Sequence, residues 1–284
     1  MTFGKFELDA VDTCLFGLDG GAMFGVVPKT LWSKAYHQGD EFNRIPLSAR
    51  PLLIRFDERT ILIDTGNGTK FNDKFAQIYN IDRDNSSIEK ALERFDITYN
   101  DITDVILTHL HFDHAGGATT FRNGKLVPTF PNARYYVQKS HLKWAIHPSD
   151  KDKASFIRDD YEPLYAEGML ETLEDTGELY PGISLHTVFG HTNSMQLVKI
   201  SDGRQSLLYC ADLSPTHAHI NIPFVMGYDN NPLLTIEEKK RIFAQAYEEK
   251  WILVFEHDAF IQASKIVATE KGFAAGESVE ITKY

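Results

Sequence analysis

Two cysteines in 284 residues, Cys14 and Cys210, leave nothing from which to build a disulfide framework. Their strand-like surroundings mark them as buried small hydrophobes. Cys210 stands two residues before Asp212, where alternation points both side chains the same way, but histidines and carboxylates fill the ligand set described below without it. Positive charge is also in deficit. Lys and Arg number 29 against 40 Asp and Glu, a formal net charge of −11. That sign repels phosphate backbones and anionic headgroups, so no nucleic-acid partner is expected and the excess reads as a solvated acidic face. No apolar run approaches the ~20 residues that cross a bilayer, so no membrane partner is expected. Met1–Val11 is interrupted by Lys5, Glu7 and Asp9, unlike the continuous apolar segment of an export signal, and the expected location is cytoplasmic. There is no fixed-period repeat, Pro-rich linker or Ser/Gly tract, so one domain over 1–284 is expected.

What is present describes an ordinary globular chain, 43% hydrophobic and 24% charged. Short β-type runs recur at Leu52–Phe56, Thr60–Asp64, Val105–Thr108, Tyr135–Gln138, Ser184–Val188, Met195–Ile200, Leu207–Cys210 and Ile252–Glu256. Helical patterns lie at Ser87–Phe95, at Ser140–Ile146, and at Thr235–Lys250 with Thr235 as N-cap and Glu238 at N3. In the last of these Ile236, Ile242, Phe243, Ala246 and Tyr247 form an apolar stripe. The polar stretch Asp150–Glu174 reads as a helix-biased surface insertion. Strands at both ends with helices between them predict an α/β fold, an αββα sandwich of two mixed β-sheets with helices on the outer faces.

The chemistry concentrates in Thr108-His109-Leu110-His111-Phe112-Asp113-His114-Ala115-Gly116-Gly117, directly after an apolar strand. Four ligand-type side chains occupy six positions. In extended backbone His109, His111 and Asp113 share one face, and His114 points away unless the chain turns, so two metal ions are easier to serve than one. Ala115-Gly116-Gly117 supplies residues small enough for such a turn. A cluster of histidines without a metal is the bland alternative. It is disfavoured because burying several imidazoles and a carboxylate without partners is costly.

The motif resembles the signature of the metallo-β-lactamase superfamily, His-x-His-x-Asp-His after a strand, followed by a distant His, a distant Asp and a last His. Those members are matched here by Gly190-His191-Thr192, Ala211-Asp212-Leu213 and Glu256-His257-Asp258, so the resemblance runs from about Ala49 to Phe260. It implies two divalent ions per chain, most simply zinc. His109, His111 and His191 would hold the first, Asp113, His114 and His257 the second, and Asp212 would bridge them. It further implies a bridging hydroxide as nucleophile, with Asp113 as the catalytic residue that orients it and passes a proton to the leaving group. Asp64, in the Ile61-Leu62-Ile63-Asp64-Thr65-Gly66 run, is the candidate support for the ligand imidazoles.

The superfamily hosts many reactions, so the substrate must come from the surrounding loops. Only 27 residues follow His257, which leaves no room for the helical glutathione-binding segment of glyoxalase II relatives. The net charge argues against the tRNA-processing nucleases. Leu18-Asp19-Gly20-Gly21-Ala22-Met23-Phe24-Gly25 with Trp32, and Ala211-Asp212-Leu213-Ser214-Pro215-Thr216-His217-Ala218-His219 with Pro223 and Tyr228-Asp229, are similar to the quorum-quenching lactonases and the methyl-parathion-type phosphotriester hydrolases. Met23, Phe24, Phe112 and Phe224 are the apolar candidates for substrate binding, and His219 the polar one. The expected activity is therefore opening of a small apolar-tailed lactone or cleavage of an ester, with N-acyl-homoserine lactones as first candidates. Phosphotriester hydrolysis is the alternative enzyme reading, and a metal-containing sensor or binding protein the alternative of another class. Some lactonases carry a Tyr shortly after the bridging Asp, where Leu213-Ser214-Pro215 stands here; His219 or Tyr228 is the candidate replacement donor. The resemblance also implies a homodimer.

Overall fold

A computed structural model describes residues 1–174 and 176–282. The chain divides into two compact units, each assembled from separated stretches: Met1–Leu15 with Ala49–Asp175, and Phe16–Ser48 with Thr176–Tyr284.

The first unit is built on a seven-stranded mixed sheet. Its strands, in spatial order, are Thr2–Phe3, Phe6–Ala10, Leu52–Phe56, Arg59–Ile63, Asp104–Ile106, Arg134–Gln138 and Leu170–Leu173. The first four pair antiparallel, and the last three join in parallel. Strand Asp104–Ile106 is buried along its whole length, as a central parallel strand must be. Leu53, Leu62, Val105, Tyr135 and Val137 from the sheet close a core with Leu92, Phe130, Leu142 and Leu164 from the helices and loops beside it. Helix Ile88–Leu92 is capped by the Ser87 hydroxyl, which accepts from Lys90 N, and continues as a 3-10 turn to Phe95, as its sequence predicts.

The second unit carries the other seven-stranded mixed sheet, in the order Gly177–Tyr180, Ile183–Val188, Met195–Ser201, Ser206–Tyr209, Ile252–Val254, Ala263–Thr269 and Gly272–Val279. Among its described residues only Ser206–Tyr209 and Ile252–Val254 pair in parallel. Antiparallel pairing through Met195–Ser201 gives Ile183–Val188 the same direction as those two strands. Three chain segments therefore leave the same end of this sheet.

Each predicted strand is found within a few residues of its expected limits. The helix predicted over Thr235–Lys250 starts earlier, at Pro232, and Asn231 rather than Thr235 is its N-cap, its side chain accepting from Leu234 N. The reason is local: Asn supplies a short acceptor, and Pro at the first helical position gives up an N–H that has no intrahelical partner. Glu238 is consequently mid-helix, free of the N3 role expected of it. Of its expected stripe, Ile242, Phe243 and Ala246 are buried, Ile236 is half-buried and Tyr247 is exposed. The stretch Asp150–Glu174 forms two 3-10 turns and the short helix Glu162–Ala166, and then contributes an edge strand, Leu170–Leu173, to the first sheet. Among the described residues no helix is long and apolar enough to cross a membrane.

Candidate metal centre

In an α/β sheet, ligand sites form where parallel strands end, because the loops there are free to present side chains. In the first unit the three parallel strands ending at Ile63, Ile106 and Gln138 lead into Asp64, into Thr108–His114 and into the helix Lys139–Ile146. Asp64 organises the histidine loop. Its Oδ1 accepts from Thr108 N at 2.7 Å, and its Oδ2 accepts from the Thr108 hydroxyl at 2.6 Å and from His114 Nδ1 at 3.0 Å. With its proton committed to Asp64, the Thr108 hydroxyl accepts from His109 Nδ1 at 3.1 Å. Both imidazoles thereby present Nε2 as the candidate donor nitrogen. Asp64 thus stands bonded to the histidine loop in this unit, together with a relay through Thr108 that the sequence did not single out.

His109 Nε2 faces His111 Nδ1 at 3.0 Å, and the rings of His109 and His114 lie with centroids 3.9 Å apart. The turn that breaks the extended run is the short helix Phe112–Ala115, so His114 swings back towards His109 and Asp64 where an extended strand would have pointed it away. Asp113 is buried on the same turn. Tyr79 is held above the usual tyrosine range by burial and then by the Asp113 charge. Phe112 packs against Phe75 and Tyr79 at centroid distances of 4.9 and 5.0 Å. His141 was not anticipated: its Nε2 accepts from Leu110 N at 2.8 Å, which satisfies the buried amide between two ligand candidates.

The backbone around the loop is packed without room for side chains. Segments 65–68 and 114–117 run against one another, Thr65 donating through both N and Oγ1 to His114 O at 2.7 and 2.8 Å, and Gly117 N donating to Gly66 O at 3.0 Å. A Cβ on Gly116 would stand 2.2 Å from Asn67 O, and one on Gly68 the same distance from Gly116 O. Lys70 closes the arrangement, its buried ammonium bonded to Thr119 O, to Gly116 O and to Asp160.

In the second unit His191, Asp212 and His257 follow the three strands of common direction. The Asp212 carboxylate stands between the two imidazoles, Oδ2 3.1 Å from His191 Nε2 and Oδ1 3.3 Å from His257 Nε2. On the far side of each ring, His191 Nδ1 donates to Asp229 Oδ1 at 3.0 Å and His257 Nδ1 to Ser48 O at 2.9 Å. A main-chain carbonyl can only accept, so the proton of a neutral His257 is on Nδ1, and the carboxylate dictates the same for His191. Each Nε2 then turns a lone pair towards a carboxylate oxygen. Such pairs repel unless a cation lies between them, so the donor set fits divalent metal ions. Ala211, next to Asp212, has φ +41°, and Ser194, three residues after His191, has φ +57°. Left-handed backbone in such non-glycine residues concentrates at functional sites, where surrounding structure holds it in place.

His219, Met23, Phe24 and Phe224 are also brought together in this unit. Phe24 stacks on Trp32 and on His219, with centroids 5.5 and 4.5 Å apart, and meets Phe224 edge-on at 5.7 Å. His219 Nε2 donates to Met23 O at 2.8 Å, and Nδ1 lies 2.7 Å from the Thr216 hydroxyl, which donates to it. Nε2 thus holds helix Gly20–Phe24, while Nδ1 is tied to the residue that opens its own turn. Burial carries the His219 pKa down to about 4. Between about pH 4 and 6.5 the unfolded chain binds this proton and the folded chain does not, so stability falls as pH drops through that window, by up to about 3 kcal/mol. Urea midpoints measured from pH 7 to 4 should show a shallower acid decline in His219→Gln than in the native chain; parallel curves would remove His219 from the account.

The metallo-beta-lactamase superfamily model matches residues 46–255. An N-acyl homoserine lactonase from Bacillus thuringiensis is 29% identical over 218 residues, covering 72% of this chain and 79% of its own. A solved structure of a probable metal-dependent hydrolase from Staphylococcus aureus superposes with TM-score 0.88 at 30% identity, over 98% of this chain and 100% of that one. A dizinc quorum-quenching lactonase in complex with a product gives TM-score 0.82 at 19% identity, over 98% and 96% of the two chains, a likeness of fold. Two mixed sheets with helices, as expected from the sequence, are the shared architecture.

Proposed function

Since the chain belongs to the metallo-β-lactamase superfamily and is a hydrolase of that kind, we propose that it is a dinuclear zinc enzyme that opens N-acyl-homoserine lactones. The observation that carries this reading is the Asp212 carboxylate, each oxygen of which faces a different Nε2 while both Nδ1 atoms are tied back by acceptors. His109, His111 and His191 would hold one ion, Asp113, His114 and His257 the other, with Asp212 shared. The lactonase name of the Bacillus thuringiensis relative supports the choice of substrate.

When bound, two such ions supply a hydroxide nucleophile at neutral pH and polarise the scissile carbonyl. The rest falls to the side chains. Asp113 takes the proton released as the nucleophile attacks and returns it to the alkoxide of the leaving hydroxyl, so the ring opens to a carboxylate and an alcohol. Asp64 and Asp229 keep ligand imidazoles in their working tautomer. Phe224, half-buried and edge-on to the buried Phe24, offers apolar surface suited to an acyl tail. His219 serves that surface by fixing Phe24.

The test is a panel: N-hexanoyl-homoserine lactone, an aryl ester and a phosphotriester, each assayed with zinc-loaded native protein. Preference for the lactone by at least about tenfold in kcat/KM, about 1.4 kcal/mol, is expected. Preference for the phosphotriester would transfer the proposal to organophosphate hydrolysis, and turnover of none would overturn it.

A further inference from the structure

Helix Pro232–Glu248 carries two charged side chains in succession that are both buried, Glu238 at 6% and Lys239 at 0% exposure. Burying either charge is costly unless its hydrogen-bonding capacity is filled. Each fills it with main chain, and each with a different loop. Glu238 Oε1 accepts from Phe189 N at 2.6 Å and Oε2 from Gly190 N at 3.0 Å, the two residues that lead into His191. Lys239 Nζ donates to Asn221 O at 2.8 Å, Ile222 O at 3.3 Å and Phe224 O at 2.9 Å, gathering the carbonyls of a single turn. Burial lowers the Lys239 pKa to about 7. The Asp229 charge acts the other way, favouring the ammonium.

The two loops have different cargo. Around His191 the grip continues: Asn230 N donates to His191 O at 2.9 Å and Asn231 N to Gly190 O at 2.8 Å, while Asp229 holds the ring. The 221–225 turn instead delivers Phe224, half-buried and edge-on to Phe24. We propose that Glu238 and Lys239 are positioning residues with separate assignments: Glu238 sets the main chain that presents the metal ligand His191, and Lys239 sets the turn that presents Phe224 to the substrate's acyl tail. The assignment to an acyl tail rests on the lactonase reading above. The division of labour between metal and turn does not. One helix then tunes metal affinity and chain-length preference through neighbouring residues that do not substitute for each other.

The experiment compares Glu238→Gln and Lys239→Met in the full chain. Zinc affinity is read by competition with a chromophoric chelator, and kcat and KM on hexanoyl- and decanoyl-homoserine lactone at saturating zinc. Glu238→Gln is expected to weaken zinc binding about tenfold, the lower end of what loss of ligand support costs, and to keep the decanoyl-to-hexanoyl ratio of kcat/KM. Lys239→Met is expected to hold zinc affinity within about twofold, to raise KM for the decanoyl substrate severalfold with a smaller change in kcat, and to shift the ratio as Phe224→Ala does. Lys239→Gln, which retains two donors, should fall between Lys239→Met and the native chain and stands in for it should the methionine variant not fold. Parallel losses of zinc affinity and chain-length preference in both variants, or a loss of zinc affinity in Lys239→Met equal to that in Glu238→Gln, would overturn the proposal. If the chain proves not to be a lactonase, the zinc measurements alone still separate the two residues and decide it.

Discussion

Asp212→Ala is expected to bind no more than one zinc ion per chain and to open N-acyl-homoserine lactones at least about a thousandfold more slowly than the native chain, a loss of about 4 kcal/mol in transition-state stabilisation. The argument is electrostatic. His191 and His257, each with Nδ1 tied to an acceptor, turn Nε2 on the oxygens of one carboxylate. Without a cation that arrangement is repulsive, and with two cations the carboxylate offsets charge at both. Removing it should therefore leave the metal-free protein as stable as the native metal-free protein at pH 8, or slightly more so, while the stabilisation gained on adding zinc shrinks. A carboxylate that merely braced the loop by hydrogen bonds would behave in the opposite way. Its removal would lower the metal-free melting temperature and leave the zinc-dependent increment intact. Thermal melts with and without zinc, run beside the lactone assay, distinguish the two.

The second large effect concerns backbone packing. Gly116→Ala should cost about 3 kcal/mol or more and lower the melting temperature by roughly 10 °C. Gly116 has φ −58°, an ordinary value for any residue, so conformational freedom is not what the position needs. Space is. The added methyl would lie 2.2 Å from Asn67 O, a main-chain atom that cannot move without disturbing Thr65, whose N–H and hydroxyl hold His114 O. Gly124→Ala is the control. Its φ of +74° makes the alanine strained, but nothing lies within 4 Å, so the expected cost is only about 1 kcal/mol. Equal melting temperatures for the two variants would show that the 65–68 and 114–117 segments are not packed as described.

The ligand candidates were legible because their chemistry is dense in sequence. His109 to His114 place four donors in six positions, and the remaining three each follow an apolar run that proves to be a strand. The central strands were legible for the same reason, being short apolar segments bounded by turn residues. What surrounds them was not. Phe6–Ala10 reads Phe-Glu-Leu-Asp-Ala and the terminal hairpin 263–279 is rich in polar and small residues, so neither stands out as a strand without a partner to pair with. Thr108, His141, Asp229, Glu238 and Lys239 act on the ligand loops and their neighbours from up to 49 positions away in sequence, and no local spacing reports such a bond. Lys239 illustrates the limit well. On a helical wheel it is one more solvated lysine, and only the convergence of three carbonyls shows why it is buried. The helix start was missed for a smaller reason, since Thr235-x-x-Glu238 imitates a capping box that Asn231-Pro232 pre-empts four residues earlier.

The most direct test of the central claim is the zinc content of the native chain after chelation and reloading, measured by elemental analysis on the sample assayed for lactone opening. Two zinc ions per chain, with activity lost on chelation and restored as the second equivalent is added, is the result this account predicts. Full lactone turnover with one ion per chain, or with none, would contradict it.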